Sequence, residues 1–316
     1  MSKGIDWEAQ IGRRLRLRDL HAFFTVVRCG GMAKAAQQLG VSQPAISKVI
    51  ADLEHALAVR LLDRNRRGVE PTIYGDALLR RGLIAFDELK QSVKEIEFLA
   101  DPTSGEVRIE CPETISATLL PRIIERFSKQ YPEVVVHVDG VLTPIQGLPG
   151  LIDRKYDLLF GRLSMPLDDA LRREDWNIET LYNDHLVVAA GMRNRWKRRR
   201  KIDLAELVGE PWILSPSNTS NYARLAEAFK AQGLALPKAN LVTLSMPLIV
   251  HFLRNGPFMT AYPRTVARLN SLVELPVDLP VRPWPVAMVT LKNRTLSPVV
   301  ERFITCAREV AKPFAI

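Results

Sequence analysis

The chain has little of what stabilises small secreted proteins or binds zinc. It contains three cysteines among 316 residues, Cys29, Cys111 and Cys306, which lie far apart and in no C-x-x-C spacing. An odd number of widely separated cysteines does not make a disulfide framework, and structural zinc sites draw on closely spaced ligands. The sequence therefore predicts neither disulfides nor a zinc site. No partner near Cys111 supports a redox switch.

Long apolar runs are also lacking. A membrane-spanning helix needs roughly 18 or more apolar residues in a row, and the longest apolar stretches here are well short of that. The opening residues 1–16 contain no apolar segment typical of a secretory signal. We therefore expect a cytoplasmic protein with no membrane partner.

Common catalytic motifs do not occur. There is no H-E-x-x-H, no G-x-S-x-G and no glycine-rich phosphate loop. The five histidines are scattered among apolar or helical residues, and Asp168-Asp169 is more typical of a loop than of a metal site. The sequence predicts no enzyme, no catalytic residue, no metal and no cofactor.

Positive charge is abundant and unevenly placed. The formal net charge is +9, and within residues 1–73 twelve Lys or Arg residues stand against seven Asp or Glu residues. A basic surface favours polyanionic partners, because each cation placed near a phosphate releases a bound counterion. A mildly basic surface is also common in proteins with no such partner, so charge alone leaves both interpretations open.

Residue patterning divides the chain into three regions, 1–73, 74–104 and 105–316. The first is rich in helix signals, and the second is one long helical pattern that ends where Pro102 and Gly105 break it. In the third, short apolar strands alternate with amphipathic helices, which predicts an α/β architecture with mostly parallel sheets. The predicted strands are 106–110, 133–138, 157–160, 186–190 and 286–291, and the predicted helices are about 119–129, 219–231, 246–255 and 297–311.

Residues 32–59 have the pattern of a helix-turn-helix. A short helix fits 33–39, Gly40 can adopt the left-handed conformation that ends it, and Ser42 is a good N-cap for the next helix. Val41 is expected to be buried at the turn. The second helix carries one apolar stripe, formed by Ile46, Val49, Ile50 and Leu53.

Polar side chains occupy the opposite face of this second helix. Gln43 and Ser47 lie at its N-terminal end, where a recognition helix meets base edges, and Gln can pair bidentately with adenine. Pro44 can contact a thymine methyl group, while Lys48 can reach a base or a phosphate. With Ser42 they form the predicted base-reading set. The alternative is an ordinary helix hairpin with a solvated polar face.

A basic turn follows, running from Arg60 to Gly68. A short β-ribbon there would form a wing, and Arg64, Arg66 and Arg67 at its tip suit phosphates or a narrow minor groove. The alternative is a solvated loop.

The long helical pattern from Gly75 contains a heptad seam. Leu79, Phe86 and Val93 are seven residues apart, as are Gly82, Leu89 and Ile96. Such spacing indicates an a/d seam of about three heptads, for which packing on another helix of the same chain is the alternative. The predicted dimerisation residues are Leu79, Phe86, Leu89, Val93 and Ile96.

Residues 17–75 resemble the N-terminal domain of the LysR-type transcription regulators. The matching positions are Ala35-Ala36, Leu39, Val41 to Ser47, Ile50, Leu53-Glu54, Arg60 to Arg64, Thr72 and Gly75. The chain departs from the family at Gly31-Met32-Ala33, where Ala33 can neither cap a helix nor contact phosphate. The resemblance implies an all-α winged helix-turn-helix, and a long helix that pairs subunits into a homodimer or homotetramer. Double-stranded DNA is then the partner, with RNA polymerase as a further candidate.

Residues 105–316 resemble the effector domain of the same family, which is like a periplasmic binding protein with two α/β lobes. The resemblance places lobe I at about 105–180 and 283–316 and lobe II at about 181–282. The matching positions include Gly105 to Ile109, Leu119 to Pro121, Tyr131 to Val134, Tyr156 to Leu158 and Pro211 to Leu214. Cys111-Pro112 stands where the family has a glycine.

A ligand in this fold lies at strand C-termini and helix N-termini between the lobes. Three loops rich in hydroxyl and amide groups qualify, residues 112–118, 140–144 and 215–221, and Arg162 can pair with an anion. We therefore expect a polar or anionic metabolite as effector. Each hydroxyl residue is also a good helix cap, and an ordinary surface arginine is the alternative for Arg162. The predicted effector-binding residues are Thr114, Ser116, Thr118, Thr143, Arg162, Ser217, Asn218 and Thr219.

The densest basic run is Arg193 to Lys201, for which contact with flanking DNA and a solvated loop are both open, the loop being favoured. The leading prediction is a sequence-specific DNA-binding transcription regulator controlled by a small molecule bound between two lobes. A constitutive architectural DNA-binding protein without a ligand is the alternative, because a binding-protein fold does not prove ligand binding.

Overall fold

A computed structural model of the chain describes residues 15–65, 68–163, 169, 171 and 175–314. The chain divides into two compact units, Met1–Lys90 and Gln91–Ile316. Each unit has apolar clusters of its own, so each is built around a separate hydrophobic core.

The first unit packs three helices against each other. Its elements are α1 (Leu17–Cys29), α2 (Met32–Leu39), α3 (Gln43–Leu57), β1 (Leu62–Asn65), β2 (Gly68–Pro71) and α4 (Ile73–Ala100), which continues into the second unit. Phe23, Val26 and Ile50 are completely buried in its core. Ala35 is also completely buried, and its small side chain lets α2 approach its neighbours closely. The winged helix-turn-helix and the long helix expected from the sequence are confirmed.

The turn between α2 and α3 corrects one expectation. Gly40 has a φ of 66°, in the left-handed region that favours glycine, as predicted. Val41, expected to be buried, is 47% exposed. Its amide N–H donates to the Ala36 carbonyl at 3.0 Å, so the turn closes through the backbone and does not require the side chain inside. At the other end of α2 the N-cap residue is Gly31, which has no side chain to cap the helix.

The second unit contains two five-stranded sheets. The first sheet consists of β3 (Ser104–Cys111), β4 (Glu133–Gly140), β5 (Leu158–Arg162), β6 (Trp176–Asp184) and β12 (Trp284–Leu291). Its strands lie in the order β4-β3-β5-β12-β6. The second sheet consists of β7 (Leu186–Ala190), β8 (Trp212–Leu214), β9 (Ala239–Val242), β10 (Met259–Pro263) and β11 (Val273–Glu274). Its strands lie in the order β11-β7-β10-β8-β9. The two sheets with their helices form the first and second lobes, as the two-lobed α/β prediction required.

Strand direction is mixed in both sheets. β12 runs antiparallel to both of its neighbours, and so does β7. The expectation of mostly parallel sheets therefore holds for the other strands but fails for half of the neighbouring pairs. The reversed strands are the ones that the chain enters on passing from one lobe to the other, and the sequence pattern carries no signal for that direction.

Helices cover the sheets. They are α5 (Glu113–Ser116), α6 (Leu119–Gln130), α7 (Pro144–Ile152), α8 (Ser220–Ala231), α9 (Met246–Asn255), α10 (Arg264–Leu269) and α11 (Pro298–Ala311), together with 3-10 turns at Arg195–Arg198, Leu204–Leu207 and Lys312–Phe314. Phe127 and Phe303 anchor the core of the first lobe, and Trp212 and Phe229 anchor a core of the second. No helix among the described residues combines the length and apolar character needed to cross a membrane.

The chain passes between the lobes at two points. β6 remains in the first sheet as far as Asp184, and β7 begins the second sheet at Leu186. The return falls just before Trp284. The first passage thus lies at 184–186, a few residues later than the boundary expected near residue 180, because a strand in the 176–184 stretch was not predicted.

Candidate functional site

The predicted base-reading residues come together at the exposed start of α3. Ser42 caps the helix, its Oγ accepting from the Ala45 amide at 3.3 Å. Gln43, Pro44 and Lys48 are exposed, and Ser47 is half-buried. The opposite face of α3 is in the core, so the polar end is held at a fixed orientation and presents donors and acceptors outward.

The predicted wing is a two-stranded antiparallel hairpin. In its register Arg64 lies opposite Val69, and Asn65 lies opposite Gly68. Arg64 is exposed. Arg66 and Arg67, which were expected at the tip, lie outside the described residues.

Glu54 fixes the hairpin to α3, a role that sequence reasoning missed. Its Oε1 accepts from the Leu61 amide at 2.8 Å and from the Leu62 amide at 3.2 Å. On the other strand, the Val69 amide donates to the Gly30 carbonyl at 3.0 Å. The hairpin is thus held against two parts of the helical core. The sequence signals were the match of Leu53-Glu54 to the resembled family and an acidic residue placed seven and eight positions before the two amides that it binds.

The predicted seam along α4 is divided. Leu79 and Phe86 pack against the core of the first unit, and the Phe86 ring lies edge-on to Phe24 with 5.3 Å between centroids. A Cβ at Gly82 would lie 2.3 Å from the Phe24 ring, so this position faces the same core. Leu79 and Phe86 were expected to be free for a partner, and the structure corrects this, because the unit's own core covers much of them.

The C-terminal half of the seam is bare. Leu89 is 47% exposed, Val93 54% and Ile96 66%. Three apolar side chains at heptad spacing on one helix leave an apolar stripe in water, the pattern that a partner helix covers in a coiled coil.

A cavity of about 350 Å³ opens between the two lobes. Its walls come from the loops after β3 and β4 in the first lobe and from the start of α8 in the second. The lining residues are Pro112, Glu113, Thr114, Ser116, Gly140, Val141, Leu142, Pro144, Arg162, Thr219, Ser220, Asn221 and Leu244. An adjoining cavity of about 400 Å³ shares Arg162 and Thr219 and is also lined by Thr143, Ser217 and Asn218.

Arg162 lines both cavities and is not a free cation. It is 7% exposed, its Nη1 donates to Thr114 Oγ1 at 2.7 Å, and its Nη2 lies 3.0 Å from Asp184 Oδ2. This burial contradicts the ordinary surface arginine left open from the sequence, and Asp184 already neutralises the guanidinium. Within the described part of the chain, the Arg162 Nε has no hydrogen-bond partner.

Asp184 links the ion pair to the second lobe. Its Oδ2 accepts from the Thr265 hydroxyl at 2.6 Å, and its Oδ1 accepts from the Thr265 amide at 3.3 Å. Thr265 lies in the first turn of α10. Asp184 is 2% exposed, and a buried carboxylate of this kind is stable only when it is paired and hydrogen-bonded. Through Asp184, the position of Arg162 in the cavity wall therefore depends on the position of α10.

Glu113 makes a second connection between the lobes. Its Oε1 accepts from the Met246 amide at 3.2 Å, at the first turn of α9 in the second lobe. Ser245, the N-cap residue of α9, makes no side-chain cap bond, so a carboxylate of the other lobe takes that place. Sequence reasoning missed Glu113, Asp184 and Thr265, because their partners are distant in the chain.

Of the six hydroxyl residues predicted to bind ligand, Thr114 and Ser217 line a cavity, and the other four differ in their contacts. Ser116 lines the cavity while its Oγ donates to the Glu113 carbonyl at 2.9 Å. Thr143 and Thr219 cap α7 and α8, and both face a cavity. Thr118 is corrected: it is 3% exposed, donates to the Thr114 carbonyl at 2.7 Å, and lines neither cavity.

Cys111 is buried at the end of β3, and burial raises the pKa of its thiol to about 12. At neutral pH the thiol therefore stays protonated, which removes the nucleophilic thiolate that redox chemistry requires. Among the described residues, no group of three or more His, Cys, Asp or Glu side chains is placed to hold a metal ion.

Comparison with known proteins assigns the class. Residues 17–76 match the bacterial regulatory helix-turn-helix protein family of LysR type, and residues 100–312 match the LysR substrate binding domain. The chain belongs to the LysR family of transcription regulators. The HTH-type transcriptional regulator TdcA of Escherichia coli strain K12 is 28% identical over 301 residues, which cover 93% of each chain.

Solved structures share the fold. A full-length OxyR variant from Pseudomonas aeruginosa matches with a TM-score of 0.64 at 17% identity, covering 94% of this chain and 95% of that one. Full-length CbnR in complex with its target DNA matches with a TM-score of 0.52 at 24% identity, covering 94% of this chain and 100% of that one.

Proposed function

We propose that this regulator binds DNA sequence-specifically through α3 and its wing, and that a small polar molecule in the interlobe cleft controls it. In this proposal residues 1–73 read DNA, 74–104 hold subunits together, and 105–316 bind the effector. The subunits form a homodimer or homotetramer through the bare half of the α4 seam, and the assembly acts on RNA polymerase in the cytoplasm, where bacterial transcription takes place.

One observation carries the effector part of this proposal. The cavity takes its walls from both lobes, and hydrogen bonds from Glu113 and Asp184 cross between the lobes beside it. A ligand seated there touches groups on both sides, so it can favour one arrangement of the lobes over another. Such a ligand shifts the DNA-bound population only by its differential affinity, typically about 1–3 kcal/mol.

The chemistry of the walls favours an uncharged polar ligand over an anion. Hydroxyl and amide groups line the cavity together with apolar side chains, and the carboxylate and the guanidinium in its walls, Glu113 and Arg162, are already bonded to protein groups. An anion would have to compete with Asp184 for Arg162, whereas an uncharged polar ligand can use the hydroxyl and amide groups of the walls without an unpaired cation.

A thermal-unfolding screen of metabolites against the full chain tests the effector. A ligand at 100 times its Kd should stabilise the second unit by about 2.7 kcal/mol. Footprinting across the promoter region next to its own gene, with and without each hit, should then show a change in footprint length or bending. If no metabolite stabilises the chain while sequence-specific DNA binding persists, a constitutive architectural protein is the better description.

A further inference from the structure

The second lobe carries a strongly basic segment, Arg193 to Lys201, that base reading does not explain. Its sequence, RNRWKRRRK, contains no acidic residue. All seven of its cations are exposed: Arg193, Arg195, Lys197, Arg198, Arg199, Arg200 and Lys201.

The segment is anchored to the lobe and is not a loose loop. Asn194 is 3% exposed; its Nδ2 donates to the Pro257 carbonyl at 2.9 Å, and its Oδ1 accepts from the Trp196 amide at 3.0 Å. Arg195–Arg198 form a 3-10 turn, and Trp196 packs against a core cluster of the second lobe. The cations therefore lie on a surface of defined shape, and they are exposed to solvent as the solvated loop favoured from the sequence requires.

Only a minority of these charges are balanced. Arg195 pairs with Glu210, Arg199 pairs with Glu206 at 2.8 Å, and both guanidinium groups lie over the Trp196 ring. The other five cations make no ion pair with any described residue. Surfaces that serve solubility intersperse both signs of charge, whereas residues 193–201 carry seven cations and no anion, and Glu206 and Glu210 balance only two of them.

We infer that the basic segment binds the phosphate backbone of DNA, as a second contact surface besides α3 and the wing. Arginine guanidinium groups match phosphate geometry bidentately, and their binding releases condensed counterions. A protein partner fits less well, because protein interfaces need a desolvated apolar centre depleted of charge, whereas seven of the nine residues here are cations. Met192 is the large apolar side chain exposed beside the segment. DNA interfaces are polar and positively charged, as this surface is.

Two matched triple variants of the full chain test the inference. One is Arg198→Gln, Arg200→Gln and Lys201→Gln. The control is Lys129→Gln, Lys230→Gln and Lys238→Gln, three exposed lysines elsewhere in the same unit. Both remove three positive charges, so the change in net charge is the same, and circular dichroism with thermal unfolding checks that both fold like the parent.

Affinity is measured against salt concentration on a promoter duplex and on a scrambled duplex, each about 60 base pairs or six helical turns long. The slope of log affinity against log salt should become shallower by about 0.9 for each phosphate that the variant no longer neutralises, hence by about two to three for each subunit whose segment contacts the DNA, on both duplexes. The control should keep the parent slope.

Equal slopes for the parent and the segment variant would overturn the inference and leave an acidic protein surface as the partner that such a segment fits. An equally large decrease of the slope in the control would also overturn it, since net charge alone would then be responsible. The test is independent of the proposed function: if the parent fails to distinguish promoter from scrambled DNA, specific reading fails, while the slope difference still reports on the segment.

Discussion

The start of α3 and the interlobe cleft use polar side chains in opposite ways. On α3, Gln43 and Lys48 are exposed with their polar groups in water, ready for a partner that brings its own acceptors and donors. In the cleft, Arg162 and Asp184 are buried and bonded mainly to each other and to both lobes. The first arrangement suits recognition of a rigid surface. The second suits control, because a ligand that alters one bond there alters the contact between the lobes.

The largest effect is expected on the assembly of subunits through the exposed half of the α4 seam. Leu89→Asp should separate subunits, because each copy would carry a carboxylate into an apolar seam, and an uncompensated buried charge costs about 3–5 kcal/mol. Ala85→Asp, at an exposed position of the same helix, is the control. Analytical ultracentrifugation at micromolar concentration checks both. A Leu89→Asp chain that sediments like the parent would place dimerisation elsewhere.

In the cleft, Asp184→Asn should destabilise the second unit by about 3–5 kcal/mol, because it leaves the Arg162 guanidinium buried without its counter-charge. Adding Arg162→Met should restore most of the stability, since removing both partners removes the unpaired charge. Urea unfolding followed by fluorescence measures both. If the single variant is as stable as the parent, the ion pair does not hold the lobes.

On α3, Gln43→Ala should reduce discrimination between cognate and scrambled DNA by about 1–3 kcal/mol, the range for one good base contact. Stability should be unaffected, because the side chain is exposed. Gln37→Ala, at an exposed position on α2, serves as the control in a fluorescence anisotropy titration. Equal weakening on both DNAs would show that Gln43 does not read bases.

The smallest effect is expected at the wing. Arg64→Ala should weaken binding to every sequence alike and reduce the salt slope by about one unit, as expected when one phosphate is no longer neutralised. Arg81→Ala, an exposed arginine on α4, should leave the slope unchanged. Weakening confined to cognate DNA would instead assign Arg64 to base reading.

The sequence was most informative where structure depends on neighbours in the chain. Gly40, the Ser42 cap and the apolar stripe of α3 interact over a few residues, so their pattern predicts the helix-turn-helix directly. The heptad spacing on α4 was visible too, but spacing does not tell whether Phe86 packs on its own chain or on another. The ring of Phe24, far earlier in the chain, occupies that side.

The cleft was predicted in outline only. Its loops were placed correctly by strand and helix order, and all the predicted effector-binding residues except Thr118 line the two cavities, whereas Thr118 turns inward. The hydrogen bonds that connect the two lobes beside the cleft join residues far apart in the chain: Glu113 to Met246, and Asp184 to Thr265. No local pattern encodes such pairs, and a single sequence cannot show that Arg162 is already neutralised.

In the proposed function the cleft and the reading helix are separate sites, and ligand binding at one changes DNA binding at the other. The most direct measurement is quantitative footprinting of the parent, Thr219→Ala and Thr219→Ser on promoter DNA, with and without the metabolite found by thermal unfolding. Thr219 caps α8 and lines both cavities, and serine keeps the cap hydroxyl. We predict equal DNA affinity for all three without metabolite, a response in Thr219→Ala that needs a higher metabolite concentration, and a parent-like response in Thr219→Ser. A Thr219→Ala chain that responds like the parent, or one that loses DNA affinity without metabolite, would contradict the account.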